Sequence, residues 1–540
     1  MRCQSHIMNI PPNKIRRQRM DSLLHRFGSI IKGSIEGFDR LVFKGTLKPI
    51  SFALGMQAFL RTQGVLNKDY KNWVTKQSAS ITQSAEEYSQ KHCARGIIYI
   101  PSINTRKEEL AHNLQKESSI TDGLIGVWSC VESCHTFRST FDATAGFPTL
   151  RPEKSRCKHL YFYYDHKDYG FMSIRLQTWA PYGIQIAING REWLRRSLDK
   201  EKCKYIVDGN KFLHIDDYEL AQKLLTSQLD VNWEEMLSGF AKEVFPTMPD
   251  IIGKDIKYYW TLWQSEMAKD YIFNDPQTLT PVMENLLRHA VMTGTCDRVL
   301  KYMGRPVKKD GQPHPLANPE LLTKVSTWHD GLRVRHYVDN NSVKFYNQQN
   351  VLRIETTMNN PQKYLIQRYM ESDEKAKGKK LLPMRKGIAD INLRAKVSVE
   401  RNKSFAEQLA TVSDKTPVGK IFGDITHSIS RNGKKFRSLD ITGKDKELLR
   451  AISDPAFNAG AITNKALQEK LVGSDWAKGL TGKKLSSKIS RQISLLRSHG
   501  IIRKLPNQHK YALTDKGRKI SSALNALLSA STEDLVNLAA

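Results

Sequence analysis

Four carboxylates are candidates for a phosphodiester-cleaving site. Asp39 lies in "GFDRLVFKG", Glu132 follows the apolar run "GLIGVWSCV", and Asp165 ends "YFYYD". Acids at strand ends that gather around two Mg²⁺ ions activate a nucleophile and stabilise the leaving oxygen in strand cleavage. Glu355, in "YNQQNVLRIETTMNN", is the fourth. In an extended strand Arg353, Glu355 and Thr357 share one face and Leu352 and Ile354 the other, because side chains alternate. The plainer alternatives are turn acids for the first three and a surface salt bridge for Arg353 and Glu355.

A second set could hold a structural zinc ion. Cys130 and Cys134 flank the end of one expected strand, and Cys157 with His159 opens the next, with His135 as a spare donor. Three thiolates and an imidazole suit tetrahedral zinc. Buried free thiols are the alternative. Seven cysteines without framework spacing fit a reducing compartment, so a cytoplasmic location is expected.

The third set would bind rather than react. In "KKLSSKISRQISLLRSHG" the apolar Leu485, Ile489, Ile493 and Leu496 fall on one helical face. Lys484, Ser487, Lys488 and Arg491 fall on the opposite face. After Gly500, "IIRKLPNQHKYALT" forms a hairpin that carries Arg503, Lys504 and Lys510. Helices before and after it, the earlier one N-capped by Thr463, complete the order of a winged helix, whose third helix suits the major groove and whose wing reaches the backbone.

The elements that must position these groups divide the chain as follows. Residues 1–30 read as a basic arm and 31–205 as a mixed α/β domain. In the latter, the strands "GIIYIP" and "GLIGVWSCV" enclose the helix "RKEELAHNLQKES", and three strands over 159–190 precede the helix "REWLRRSL". Residues 206–330 read as mainly helical, with Trp233, Trp260 and Trp263 as core anchors. A β-meander over 331–370 follows, then a linker and long exposed helix over 371–439, and the winged helix over 440–540. The expected fold class is a multidomain α+β and α/β protein, without an internal repeat of solenoid period.

The run "LRSHGIIRKLPNQHKYALTDKG" resembles the winged-helix domains of MarR-type regulators. Nearly the whole chain resembles a large multi-copy family of bacterial transposase-like, mobile-element proteins, through "FDRLVFKGTL", "CVESC", "CKHLYFYYD", "RLQTWAPYGIQIAINGREWL" and "NSVKFYNQQNVLRIETTMNN". That resemblance implies a DNA-handling role and supplies no mechanism. "FYNQ…LRIE" loosely resembles strands of rolling-circle initiators, but "RHYVD" has one histidine where those enzymes carry a metal-binding pair.

Charge narrows the partner. The formal net charge is +29. Residues 476–520 hold twelve Lys and Arg against one Asp, and residues 1–48 hold ten against three acids. Such clustering fits a polyanion. DNA is the first expectation, with structured or single-stranded RNA as the alternative, since "HLYFYYDHKDYGF" could present stacking rings as well as core. No membrane span or basic amphipathic membrane helix is expected, and a homodimer remains open. Three roles follow: a strand-cutting protein of a mobile element, a DNA-binding regulator without chemistry, and an RNA-holding protein.

Overall fold

The computed structural model describes residues 21–101, 103–293, 299–300, 302–304, 321–328, 331–369, 380–410, 418–431, 433–453, 462–505 and 509–529. Its centre is one eleven-stranded sheet. In chain order the first strands are β1 (Ile31–Thr46), β2 (Ile98–Ile100), β3 (Gly123–Asp142), β4 (Phe147–His166), β5 (Gly170–Gln177) and β6 (Ile184–Asn189). A separate hairpin, β7 (Tyr205–Asp208) and β8 (Lys211–Ile215), precedes β9 (Tyr259–Phe273). The last strands of the sheet are β10 (Leu321–Trp328), β11 (Gly331–Val338), β12 (Asn341–Gln348) and β13 (Val351–Met358). Their order across the sheet is β10-β11-β12-β13-β9-β1-β6-β5-β4-β3-β2. All neighbours are antiparallel except β2 and β3, the parallel pair joined through the helix Lys107–Ser118.

The two halves of this sheet follow one plan. A long strand, β1 or β9, is followed by helix and then a four-stranded meander whose last strand returns to pair with the first. β1 and β9 pair antiparallel in the middle, so the halves meet along the two strands that begin them. The expected meander over 331–370 is therefore not a separate region but supplies three adjoining strands of the central sheet, β11, β12 and β13.

One face is covered by the helices Ala53–Thr62, Tyr70–Cys93 and Trp233–Val244, which bury Phe38, Leu41 and Phe43 of β1 with Ile184, Ile186 and Ile188 of β6. The helices Pro276–Thr293 and Ile391–Ala410 continue this cover over Tyr271, Phe273, Leu352 and Ile354. The second face is covered only in patches. Helices Gly190–Lys200 and Tyr218–Ser227 and the β7–β8 hairpin bury Ile35, Ile272 and Val351, and the helix Lys107–Ser118 buries Trp128, Cys130 and Tyr163. Between these covers the sheet is open.

Three expectations need correction. The region read as mainly helical contains β9, a central strand. The alternation of β9 is hard to see because most of it is buried on both faces and its pairing with β1 shifts register near Phe38 and near Val42. Trp233 and Trp260 are core residues as expected, but Trp263 is 44% exposed. The long helix read as exposed is instead packed against the sheet, with Arg394 and Asn402 buried as hydrogen-bond donors to backbone carbonyls of β9 and β13.

The C-terminal part forms its own core. Helices Lys446–Ile452, Asn464–Leu471 and Gly482–Ser498 precede a hairpin of Ile502–Lys504 with Tyr511–Leu513 and the helix Asp515–Ser529. Ile462 bridges Tyr511, adding the short third strand of a wing. Thr463 caps its helix by accepting from Ala466 N at 3.1 Å. Gly500, at φ +71°, takes the left-handed position after the third helix. The wing tip 506–508 lies outside the described residues.

Candidate acidic centre and nucleic-acid interface

Asp39 and Glu355, 316 positions apart in the sequence, meet on the second face of the sheet. Both join Glu266 of β9, with ligand-capable oxygens of all three within 4.8 Å of one another. A β-bulge makes this meeting possible. Phe38 pairs with Met267 and Arg40 with Glu266, so Asp39 is the extra residue between them. Bulges re-aim side chains in this way beside functional sites. The bulge is braced by Gly190, where an added Cβ would lie 2.1 Å from the Phe38 carbonyl oxygen. Only glycine permits the helix Gly190–Lys200 to begin so close to β1.

A second ring of charge fixes the acids. Arg353 is fully buried and donates from Nη1 to Asp39 at 2.7 Å and from Nη2 to Asp270 at 2.7 Å. Arg191, also buried, donates to the Ala268 carbonyl at 2.9 Å and lies 3.2 Å from Asp270. Lys344 pairs with Glu355 at 2.6 Å. Asn210 in the β7–β8 turn donates to Asp39 at 2.5 Å. Burial pushes the Asp270 carboxyl up, yet Arg353 and Arg191 hold it below its ordinary value. Glu266 behaves differently, because no cation lies within ion-pair distance of it among the described residues. Burial and then the nearby Glu355 push its carboxyl up to about 7. Burial, reinforced by Arg353, brings Lys211 down to about 8.

This centre opens into a cleft of about 290 Å³. Its floor is β5, β6, β1 and β9, with Ser173, Asn189, Asp39, Arg40 and Glu266 pointing in. One wall is Glu108 and His112 of the helix Lys107–Ser118, and the other is Asn210. His112 stacks on Phe171 with ring centres 3.8 Å apart. Asp39, Glu266 and Glu355 could hold a divalent cation through carboxylate oxygens, the donor type Mg²⁺ takes.

The other expected acids do not converge here. Glu132 on β3 accepts from Tyr161 at 2.6 Å and pairs with Lys107 at 3.1 Å and Arg175 at 3.0 Å. Asp165 on β4 is buried and held by Arg196 at 2.5 Å and Gln115 at 2.8 Å. Asp165 faces Gly123 across the pair, so Glu132 is nine residues farther along β3, about 30 Å away at ~3.3 Å per residue. Each acid is neutralised locally, and that spacing keeps Glu132 and Asp165 from sharing one two-ion site.

The cysteine and histidine set is drawn close without closing. Cys130 pairs with His159 across β3 and β4, and Cys157 with Glu132. The Cys157 sulfur is 4.0 Å from His159 Nδ1, and the thiols of Cys134 and Cys157 interact. Yet the Asp39 group is the one metal-type cluster among the described residues. Glu132, inserted between the two cysteines of β3 on the same face, keeps the set apart. Burial brings His159 down to about 4, so it stays neutral.

On the winged helix, Lys484, Ser487 and Arg491 are exposed along one face of the third helix, and Arg503, Lys504 and Lys510 are exposed on the wing. Lys488 differs. Its ammonium sits 4.2 Å above the Trp476 ring and donates to the Trp476 carbonyl, so it is half-buried and serves the fold.

Sequence reasoning singled out Asp39 and Glu355 but not Glu266, Arg191, Lys211 and Lys344, which lie beside them. The signal for Glu266 was the run "YWTLWQSEMAKDYIF", whose β-branched and aromatic content marks a strand once helix is set aside. Compared with protein-family models, curated proteins and solved structures, the chain matches none of them.

Proposed function

We propose that this is a nucleic-acid-binding protein of a bacterial mobile element, acting in the cytoplasm. In this reading the winged helix grips duplex DNA and the acidic centre cuts or rearranges strands with a divalent ion such as Mg²⁺. The observation that carries the reading is the meeting of Asp39, Glu266 and the buried Glu355 at the base of a cleft lined by Asp39, Arg40 and Glu266, beside a sheet face that presents Lys44 and Arg175. Three carboxylates would hold the ion, and the ion would polarise the scissile phosphate and lower the pKa of an attacking water or hydroxyl. Among the described residues no helix is long and apolar enough to cross a membrane.

The test is nicking of supercoiled plasmid by the full-length protein with Mg²⁺ or Mn²⁺. Glu355→Ala and Asp39→Ala are each expected to lower the rate by at least about a hundredfold, on the scale of losing an electrostatic catalytic group. Metal-independent nicking, or unchanged nicking by both variants, would refute the catalytic role.

A second reading is favoured by one observation: Lys344, Arg353 and Arg191 already neutralise much of the centre. On that reading the network is architectural, and the chain holds DNA as a regulator, or structured RNA, without cutting it. Tight, salt-sensitive binding without cleavage would select this role.

A further inference from the structure

The β1–β9 pairing departs from regularity again three residues from the acidic centre, here with the extra residue on β9. Val42 pairs with Gln264 and Phe43 with Leu262, which leaves Trp263 without a cross-strand partner. Its indole stands 44% exposed, and Tyr259 at the start of the same strand stands 43% exposed. Both rings are attended by lysines. Lys44 lies 5.0 Å and Lys386 5.6 Å from the Trp263 ring centre, and Lys48 lies 3.4 Å from that of Tyr259.

The surrounding sheet face extends this chemistry. Burial, and then the charges of Arg175 and Lys386, lower the affinity of Lys44 for a proton. Arg175 in turn lies 5.9 Å from the Tyr161 ring, as does Lys107 at 4.9 Å. Exposed large aromatics are costly to keep in water unless something covers them. Cations collected around such rings also repel one another, which a polyanion would relieve.

We propose that this face is a track for single-stranded nucleic acid, which leads an unpaired strand along β9 into the acidic centre. Tyr259 and Trp263 stack bases, and Lys44, Lys48 and Lys386 pair with the intervening phosphates. Alternating rings and cations along a groove are how non-specific single-strand binders work, because every base has a flat face and every linkage a charge. Trp263 is about 10 Å from Glu266 along the strand at ~3.3 Å per residue, so a strand held there reaches the carboxylates. Duplex DNA fits this place less well, since its bases are stacked on one another and closed to side chains. The inference rests on the function proposed above and adds the form of its substrate.

The experiment measures binding of fluorescein-labelled oligo(dT), oligo(U) and a duplex to the full-length protein. The variants are Tyr259→Ala with Trp263→Ala, and separately Lys44→Glu with Lys48→Glu. Each pair is expected to weaken single-strand binding by about tenfold or more, the scale of one or two lost stacked bases. Duplex affinity, set by the winged helix, is expected to hold, and Trp263→Phe is expected to retain most single-strand affinity. Comparison of oligo(dT) with oligo(U) assigns the sugar preference. Unchanged single-strand binding, or an equal fall for duplex, overturns the track. Wild-type protein that binds duplex but no single strand also overturns it and leaves the parent reading standing, whereas binding neither removes both.

Discussion

Replacement of Glu266 by glutamine tests the electrostatics of the centre without touching its shape. The wild-type carboxyl is raised from 4.5 to about 7, by burial first and by Glu355 next. The folded protein thus keeps a proton that the unfolded chain releases near pH 4.5. Between these values the folded state binds more protons, so stability falls as pH rises and the penalty is complete above about 7. The difference, 7 − 4.5 = 2.5 units, corresponds to about 3 kcal/mol at ~1.36 kcal/mol per unit. Because Glu266 faces an open cleft, solvent screening reduces the expected effect to about 1–2 kcal/mol. Glutamine keeps the acceptor that Gln264 uses at 3.0 Å and removes the ionisation. Melting curves of Glu266→Gln and wild type, taken in chelator from about pH 5 to about pH 8, are expected to coincide at the acid end. At the alkaline end the variant is expected to melt higher by a few degrees. A difference that does not change with pH, or a variant less stable at the alkaline end, would refute the account of this site.

Other outcomes follow from the same geometry. Lys484→Glu with Arg491→Glu is expected to abolish duplex binding in a salt-dependent filter or anisotropy assay while leaving melting nearly unchanged, since both side chains are exposed. Lys488→Glu is a poorer probe, because it also removes the ring and carbonyl contacts to Trp476. Arg353→Met is expected to cost about 3–5 kcal/mol in denaturant titrations, since it strands Asp270 and Asp39 without their shared partner. Mg²⁺ binding by calorimetry is expected to be weak for the free protein and at least about tenfold tighter with oligonucleotide present, a coupling of the ordinary size for linked ligands.

Much of the architecture can be read in the residues because it is local. The strands over 159–190, the parallel unit around the helix Lys107–Ser118 and the winged helix each declare themselves through alternation, periodicity or caps. Glu355 could be placed on the same face as Arg353 from alternation alone. What could not be read is the pairing of β1 with β9, which joins segments more than two hundred residues apart and breaks register three times. The bulge at Asp39 inverts the usual rule for which face a residue takes, and the one at Trp263 turns an expected core residue outward. The repeated plan of the two halves leaves no sequence period because its units differ in helical insertions. The cysteine and histidine set is a nearby case. Spacing brought Cys130, Cys134, Cys157 and His159 to one region, but Glu132 shares their face and occupies it with Tyr161, Lys107 and Arg175.

The charge balance of the centre constrains any chemistry there. Asp39, Glu266, Asp270 and Glu355 provide four acids, and Arg191, Lys211, Lys344 and Arg353 provide four bases within the same network. Once Glu266 is ionised, a lone divalent ion would enter a site that is already neutral, and it would have to compete with Lys344 for Glu355. A phosphodiester alone would meet three carboxylates. Together they offset one another: the ion offsets the carboxylates and the phosphate offsets the ion. A centre built this way resists either partner alone and admits both. Cutting would then be confined to occasions when a strand is already held, and the open basic and aromatic face beside Glu266 is where the chain can hold it.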